Sequence, residues 1–364
     1  MIDVPGLLRT LVENDGSDLH LKVGVPPLIR VDGALRRLDG ERLTPQDTQD
    51  VAWSILPPDR RNGLDKNKET DFALSMPGMG RFRANVFYQR GSVTIVLRRV
   101  RVGSPTFDEL GLPPVVKELA EMQRGLILVT GPTGAGKTTT LACMIEHINA
   151  TKPVHILTIE EPIEVVHSDR VATVNQREIG MDTDTYATAM RSAVRQDPDV
   201  ILIGEMRDPE TVAAALAAGE TGHLVFSTLH TTDAVETVNR IVDFFPPYQQ
   251  NQMRVTLASV LRGVLCQRLV PRKGGGRVPA VEIMVNNGRI ADRIVDPKRT
   301  PEILDVIAES GFYGMQTFDQ SLLTLVKSDV VTVEDALLTS SKPHDFTLML
   351  EQAGIDVRTK ARAS

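Results

Sequence analysis

The sequence predicts a two-part protein, an α/β core preceded by a smaller α+β unit. From Val115 onward, apolar strand-like segments alternate with helical segments, which is the pattern of a largely parallel sheet. Residues 1–100 instead contain short strand-like segments separated by Asp-Gly, Pro-Gly and Arg-Gly turn signals. We therefore place the N-terminal unit at residues 1–104, a linker rich in Gly and Pro at 105–114, and the core, with a helical C-terminal part, at 115–364.

The N-terminal unit is predicted to combine two helices with several strands. Val4 to Asn14 is an amphipathic segment that predicts a short helix, and Thr44 is a suitable N-cap for a second one. The predicted strands are 19–23, 28–31, 72–74, 81–89 and 93–98.

The core is predicted to contain buried strands and a helix that follows the first of them. The strands are 126–129, 154–159, 200–203 and 224–227, each mostly apolar, as expected where helices cover both faces of a sheet. Segment 139–148 predicts a helix, since Leu141, Met144, Ile145 and Ile148 fall on one face. After Val260 the pattern turns mostly helical.

Composition excludes several classes of protein. With 364 residues, 41% hydrophobic and 24% charged, the chain is long enough for about two domains. Its net charge of −6 gives no bias toward nucleic acid or anionic lipid. Cys143 and Cys266, the two cysteines, exclude a disulfide framework and a cysteine zinc site. No secretory signal and no run of about 18 apolar residues is visible, so we expect a cytoplasmic protein.

A glycine-rich loop joins the strand at 126–129 to the helix at 139–148. It fits the phosphate-binding pattern of two glycines four residues apart followed by Lys and Thr. Lys137 is expected to reach the β- and γ-phosphates and Thr138 to bind Mg²⁺. The predicted ligands are thus ATP and Mg²⁺, bound by Gly131, Pro132, Thr133, Gly134, Ala135, Gly136, Lys137, Thr138 and Thr139.

Carboxylates follow the ends of two other strands. Glu205 comes shortly after the strand at 200–203 and is placed to lie near Mg²⁺, although Gly204 stands where such motifs usually have Asp. Glu160, Glu161 and Glu164 follow the strand at 154–159, and one of the three could deprotonate the attacking water. A solvated loop carboxylate is the alternative for each.

A histidine and several arginines complete the candidate residues. His230 follows the strand at 224–227 beside hydroxyl residues, where it could sense the γ-phosphate or lie between subunits. Most surface arginines are merely solvated. An arginine that reaches phosphate across a subunit boundary is nevertheless a common device of ring motors. The candidates are Arg81, Arg83, Arg90 and Arg98 in the N-terminal unit and Arg195 and Arg207 in the core.

Taken together, these segments resemble the secretion ATPases of type IV pili and type II secretion, most closely the twitching-motility (pilus retraction) branch. The resemblance rests on the phosphate-binding loop, an acidic box at 159–164, a variant Walker B at 195–199 and 204–208, a histidine box at 221–223 and 227–231, and the late segment 314–320. Glu161 stands where the family usually has Asp. The resemblance covers nearly the whole chain.

The resemblance implies a RecA-like P-loop ATPase core and a PAS-like N-terminal domain. It implies that Glu164 is the catalytic carboxylate, Glu205 the metal-side carboxylate, and Lys137 the phosphate ligand. His223 and His230 would lie near the nucleotide and couple it to the neighbouring subunit. Such proteins form homohexameric rings in which the N-terminal domain of one subunit packs on the ATPase domain of the next. The ring docks on an inner-membrane platform protein from the cytoplasm and removes pilin from the fibre.

The same resemblance leaves the kind of retraction motor open. Two cysteines rule out the four-cysteine zinc module of assembly ATPases, which favours retraction. However, 289–296 matches poorly the retraction motif Ala-Ile-Arg-Asn-Leu-Ile-Arg-Glu, and 343–346 and 348–350 resemble the accessory paralogue. The chain is therefore expected to be either the main motor or a helper that depends on a second retraction ATPase.

Other functions compete with this one. A DNA-translocating or other P-loop ring ATPase also uses a P-loop and trans arginines, but the negative net charge and the lack of a basic, aromatic-interleaved stretch argue against nucleic acid. A type II secretion or pilus assembly ATPase is a second alternative. A catalytically silent ring subunit is a third, and the intact Lys137, Glu164 and Glu205 argue against it.

Overall fold

The structure, a computed structural model, describes residues 2–355. It divides into two compact units, Met1–Val102 with Glu164–Val166, and Gly103–Ile163 with His167–Ser364. The four-residue helix Phe107–Leu110 lies inside the stretch predicted to be a linker.

The secondary structure elements are numbered along the chain. The strands are β1 Asp18–Leu21, β2 Leu28–Val31, β3 Ala34–Arg37, β4 Glu69–Met76, β5 Gly80–Gln89, β6 Ser92–Arg99, β7 Arg101–Val102, β8 Gly125–Thr130, β9 His155–Glu160, β10 Val165–Val166, β11 Thr173–Glu178, β12 Val200–Ile203, β13 Leu224–Leu229, β14 Leu261–Pro271 and β15 Arg277–Val285. The helices are α1 Val4–Glu13, α2 Pro45–Ile55, α3 Pro58–Asn67, α4 Phe107–Leu110, α5 Pro114–Ala120, α6 Lys137–Thr151, α7 Tyr186–Ala193, α8 Pro209–Glu220, α9 Ala234–Asp243, α10 Pro247–Val260, α11 Gly288–Val295, α12 Ile303–Glu309, α13 Phe318–Lys327, α14 Val333–Thr339 and α15 Pro343–Gln352, with 3₁₀ turns at Thr300–Glu302 and Gly311–Tyr313.

The first unit is built on an antiparallel sheet of order β3-β2-β1-β6-β5-β4. Along β5, every second side chain, Phe82, Ala84 and Val86, is buried in the core of this unit. Thr44 caps α2 as predicted, and the Asp47 carboxylate accepts from the Thr44 N–H at 2.9 Å, which completes a capping box. A separate pair, β7 with β10, runs parallel.

The second unit is built on a sheet of order β11-β9-β12-β13-β8-β14-β15, parallel except for β15. Helices cover both faces. Along β8, Leu126 and Leu128 pack into one hydrophobic cluster while Ile127 and Val129 pack into the other. Burial on both faces explains why the strands are continuous apolar runs in the sequence. The fold class predicted from the sequence is confirmed.

The prediction of a mostly helical segment after Val260 is wrong at its start. Residues Leu261–Pro271 and Arg277–Val285 form the antiparallel pair β14–β15, and helices follow only from Gly288. Both strands are buried on both faces, so their apolar residues show no two-residue alternation. The one signal of a hairpin was the loop Gly274-Gly275-Gly276, whose residues all adopt positive φ.

Cys143, Cys266 and Glu282 are buried in the second unit, and burial raises the pKa of each. Cys143 and Cys266 are free and buried, and burial raises the pKa of Cys143 to about 12, as expected for packing residues. Glu282 on β15 is 3% exposed, and its carboxylate accepts from the Ala234 N–H at the start of α9 at 2.9 Å. Burial raises the pKa of Glu282 to about 7.

This carboxyl predicts a pH-dependent stability. Because its pKa is raised in the folded chain, its contribution to stability is full below about pH 4.5 and is lost as pH rises through about 7. The loss amounts to about 3 kcal/mol, or roughly 5–10 °C in Tm. We expect Glu282→Gln to melt progressively higher than the wild type between pH 5 and 8. The exposed Glu351→Gln is the control, and parallel pH profiles for wild type and Glu282→Gln would contradict the prediction.

Candidate active site

Four segments of the second unit meet at one edge of the sheet. Strands β8, β9, β12 and β13 run parallel, so the residues that follow them come together at the carboxyl edge. These residues are 131–136 after β8, 161–163 after β9, 204–207 after β12 and 230–232 after β13. The P-loop, the acidic box and the later parts of the Walker B variant and of the histidine box thus follow neighbouring strands.

The glycine-rich loop turns from β8 into α6 over six residues. Gly131, Gly134 and Gly136 all have positive φ, which residues with a Cβ rarely adopt. A Cβ on Gly131 would also collide with the backbone oxygen of Gln267, and one on Gly136 would lie 2.7 Å from the Gln267 side chain. Helix α6 begins at Lys137, so its N-terminal N–H groups and positive dipole end lie where a phosphate would bind.

Lys137 lies at the centre of the polar cluster. Its ammonium donates to the Gly131 carbonyl at 2.7 Å and the Pro132 carbonyl at 3.1 Å, and lies 3.5 Å from Nδ1 of His230. Partial burial lowers the pKa of Lys137, and the charge of Glu205 opposes that shift. An ammonium can only donate, so Nδ1 of His230 accepts and the ring proton lies on Nε2. Nε2 is 3.2 Å from Oε1 of Glu205.

Glu205 connects the histidine to an arginine. Its Oε2 accepts from Arg207, with Nη2 at 2.7 Å and Nε at 2.8 Å. The same guanidinium reaches Glu161 at 3.1 Å. The hydrogen bond to Glu205 raises the pKa of Arg207. A continuous polar chain therefore runs from Lys137 through His230 and Glu205 to Arg207 and Glu161.

Gly204, the departure from the usual Walker B motif, has a steric reason. A Cβ at this position would lie 3.0 Å from the Tyr186 hydroxyl and 3.3 Å from the Ile159 carbonyl. A bulky side chain would therefore push β12 away from β9 or displace Tyr186. The carboxylate of this chain is supplied one residue later, by Glu205, whose side chain is 17% exposed.

The other acidic residues separate into different surroundings. Glu160 is 8% exposed at the end of β9, and its carboxylate accepts from Thr158 at 2.6 Å and Gln176 at 3.1 Å. Those partners indicate a structural role. Glu164 directly precedes β10 and falls in the first unit. Its catalytic role stays a prediction.

The candidate arginines of the N-terminal unit differ in their side-chain contacts and exposure. Arg98 pairs with Asp18 at 2.7 Å, and Arg81 contacts Ser75 at 3.5 Å. Arg83 is exposed on β5, and Arg90 lies in the turn before β6 with a φ of 51°. A role for any of the four in a neighbouring subunit stays a prediction.

Two other candidates lie at the opposite edge of the sheet. Arg195 follows α7, precedes β12, and donates to the Arg191 carbonyl at 3.0 Å. His223 precedes β13, whereas His230 follows it, so about 20 Å of strand separates the two histidines. The prediction that both histidines lie near the nucleotide is therefore wrong for His223 within one chain. Of the two core arginines, Arg207 lies in the polar cluster and Arg195 does not.

The donors at this edge fit a magnesium ion. Mg²⁺ takes oxygen ligands and is usually bound by one or two protein groups together with substrate phosphates. Thr138, exposed in the first turn of α6, and Glu205 supply a hydroxyl and a carboxylate. Among residues 2–355, no cluster of three or more His, Cys, Asp or Glu has metal-binding geometry.

Sequence reasoning missed one residue of this site, Gln267. It lies on β14, and its side chain hydrogen-bonds to the loop residue Ala135 and to Thr140 of α6. The partners are 132 and 127 positions apart in the chain, so no local sequence pattern predicts these contacts.

Comparison with known proteins decides the family. The model of the type II/IV secretion system protein family matches residues 62–298. The chain belongs to this family. The type IV pilus retraction ATPase PilT of Pseudomonas aeruginosa is 44% identical over 345 residues, which cover 95% of this chain and all of PilT. The type IV pilus ATPase PilU of the same organism is 40% identical over 346 residues, covering 95% of this chain and 90% of PilU.

A solved structure of the family shares the whole fold. The crystal structure of the pilus retraction motor PilT with bound ADP superposes with a TM-score of 0.86 and 47% identity, covering 95% of this chain and 99% of that one. The resemblance to the twitching-motility branch predicted from the sequence is thereby confirmed. No helix within residues 2–355 is long and apolar enough to cross a membrane.

Proposed function

We propose that this chain is an ATPase that forms the ring motor for type IV pilus retraction. The observation that carries the proposal is the convergence of Lys137, Glu205 and His230 at the carboxyl edge of a sheet whose fold is that of PilT. The direct test is whether fibres retract in a strain that lacks this chain.

In the proposed mechanism, the loop amides and Lys137 hold the phosphates of ATP. The ammonium now donates to carbonyls of its own loop at 2.7 and 3.1 Å, so it is already held at the loop where phosphate would bind. Its charge stabilises the negative charge that develops on the transferred phosphoryl group. Thr138 and Glu205 would hold Mg²⁺, which when bound would supply positive charge against the phosphates.

Two further groups complete the proposed chemistry. Glu164 orients the attacking water and accepts its proton, which is the task of a general base. His230, which donates to Glu205 and lies beside Lys137, reports the state of the site to the loop at 230–232 and so to α9. Arg207 pairs with both Glu205 and Glu161 and offsets part of their negative charge.

We propose a homohexamer in which arginines of the N-terminal unit face the nucleotide of the next subunit. Charge on the γ-phosphate is commonly met by an added arginine. Within one chain Arg207 is already bound to two carboxylates, which favours a donor from another subunit. Arg83 and Arg90 are the better candidates, because both are exposed whereas Arg98 is paired with Asp18.

This arrangement predicts complementation in mixed rings. The double variant Arg83→Ala,Arg90→Ala and the single variant Lys137→Ala should each be inactive alone. Mixing the two should restore part of the ATPase activity, because at some interfaces an intact Lys137 site then meets intact arginines of the next subunit. Phosphate release measured against mixing ratio is the readout. Arg37→Ala, an exposed arginine on the edge strand β3, is the matched control and should stay active alone. Full ATPase activity of a monomer at all concentrations would contradict the ring.

Retraction is preferred over assembly on the strength of the relatives. PilT and PilU match along 95% of this chain, whereas the type II secretion protein HxcR matches 74% of it at 35% identity. The similarity to PilU keeps the accessory motor as a second candidate. In either case we propose a cytoplasmic ring at the inner membrane that docks on the pilus platform protein, with a second retraction ATPase as partner of an accessory motor. We propose no nucleic acid partner.

A further inference from the structure

Gln267 lies behind the glycine-rich loop and contacts it at several points. Gln267 is 2% exposed and lies on β14. This strand pairs with β8, and Cys266 is opposite Thr130. Gln267 is therefore the next residue along β14, beside Gly131, where β8 ends and the loop begins. Its backbone oxygen occupies the space that a side chain on Gly131 would need.

The side-chain amide of Gln267 links the loop to the helix. Nε2 donates to the Ala135 carbonyl at 2.7 Å, and Oε1 accepts from the Thr140 hydroxyl at 2.8 Å. The partners fix the orientation of the amide, because the Ala135 carbonyl can only accept. Both hydrogen bonds are buried, so the loss of either would leave a buried polar group unsatisfied.

We propose that Gln267 is a positioning residue that holds the glycine-rich loop in its phosphate-binding shape. The inference rests on the proposed function, since the loop must bind nucleotide for its shape to matter. Ala135 is held by the amide, which also fills the space that a side chain on Gly136 would need. The loop N–H groups are thus fixed before the phosphates arrive, which lowers the ordering cost of binding.

Two substitutions separate this role from simple packing. Gln267→Leu keeps the volume but removes both hydrogen bonds. Gln267→Glu, when protonated, can still donate to Ala135 and accept from Thr140, but when ionised it turns a carboxylate toward the Ala135 carbonyl. Burial raises the pKa of a carboxyl, so the protonated form of the introduced glutamate predominates at low pH. The exposed Gln249→Glu adds the same charge on α10 and is the matched control.

Binding of fluorescently labelled ADP to the full-length protein is the first readout. We expect Gln267→Leu to raise the Kd about 10- to 100-fold, and to raise KM for ATP more than it lowers kcat. Gln267→Glu should bind nearly as the wild type at pH 6 and lose affinity as pH rises to 8.5. Gln249→Glu should follow the wild type at every pH. A pH-independent affinity for Gln267→Glu, or a Kd for Gln267→Leu within about twofold of wild type, would overturn the proposal.

Hydrogen exchange of the amides of Gly131 and of residues 133–137 is the second readout and needs no nucleotide. We expect faster exchange in Gln267→Leu than in the wild type, with β8 unchanged. If the wild type bound no ADP, the proposed function would fail while the exchange result still decided the role of Gln267. If Gln267→Leu did not fold, Gln267→Glu gives the same test when its exchange is compared with that of the wild type at the same pH, first at pH 6 and then at pH 8.5. Unchanged exchange in both variants would overturn the proposal.

Discussion

Replacing Lys137 by Ala should abolish ATP hydrolysis. The ammonium lies at the start of α6, held by two carbonyls of the loop and beside His230, so it brings a point charge to the phosphates. Removing one preorganised charge or donor at a transition state commonly costs about 10²–10³ in kcat. We expect at least that loss at saturating ATP and Mg²⁺, measured as phosphate release.

Two further variants make this result specific. Lys137→Gln keeps a donor toward the Gly131 carbonyl but removes the charge, so it should be nearly as inactive if the charge matters. Lys152→Ala removes a lysine at the other end of α6, where its ammonium donates to the Glu121 carbonyl, and should keep most of the activity. Wild-type turnover in Lys137→Ala would show that the loop does not bind the reacting phosphates.

Glu205→Gln and Glu164→Gln should each retain nucleotide binding but lose most turnover. Glu205 would lose the negative charge that faces His230, Arg207 and the magnesium, and Glu164 would lose its ability to accept a proton. General-base catalysis is typically worth about 10²–10⁴-fold, and we expect losses in that range in single-turnover hydrolysis. Binding of fluorescently labelled ATP should change by less than about tenfold, since Lys137 and the loop amides are intact in both variants.

The acidic box supplies its own control for this prediction. Glu161 lies in the same box, is 44% exposed and pairs with Arg207 at 3.1 Å. Exposed ion pairs contribute little, so Glu161→Gln should keep most of the turnover. If Glu161→Gln were inactive and Glu164→Gln active, the catalytic carboxylate would be Glu161. If both were active, Glu160 would be the remaining candidate, although its hydrogen bonds to Thr158 and Gln176 favour a structural role.

Much of the fold could be predicted because its strongest signals are local. The loop at 131–138 carries its own backbone requirements, and Leu141, Met144, Ile145 and Ile148 do pack into one cluster along α6. The parallel strands of the core are apolar runs bounded by turn residues. β11 was missed because it is a strand at the edge of the sheet with mostly polar residues, Thr173 to Glu178, which no apolar pattern marks.

The site could be predicted only where its residues follow strands directly. Glu205 and His230 come within two residues of a carboxyl strand end, and Lys137 ends the loop that follows β8, so parallel topology brings them together. Gln267 comes from the middle of β14, and its contact with Ala135 depends on which strand is the neighbour of β8. That neighbour is set by tertiary packing rather than by local sequence. His223 is a different case, because it precedes the strand predicted at 224–227 and the same rule places it at the opposite edge. Its expected place near the nucleotide came from the family motif and not from the topology.

The most direct test of the account is fibre retraction in living cells. Labelled pili would be followed in a strain that lacks this chain and is supplied with the wild type or with Lys137→Ala, each with and without a second retraction ATPase. We predict that the wild type restores retraction and that Lys137→Ala leaves fibres extended. For a main motor, wild type alone should suffice; for an accessory motor, it should act only when the second ATPase is present. Normal retraction in cells that lack both this chain and the second ATPase, or full restoration by Lys137→Ala where no other retraction ATPase is present, would contradict the account.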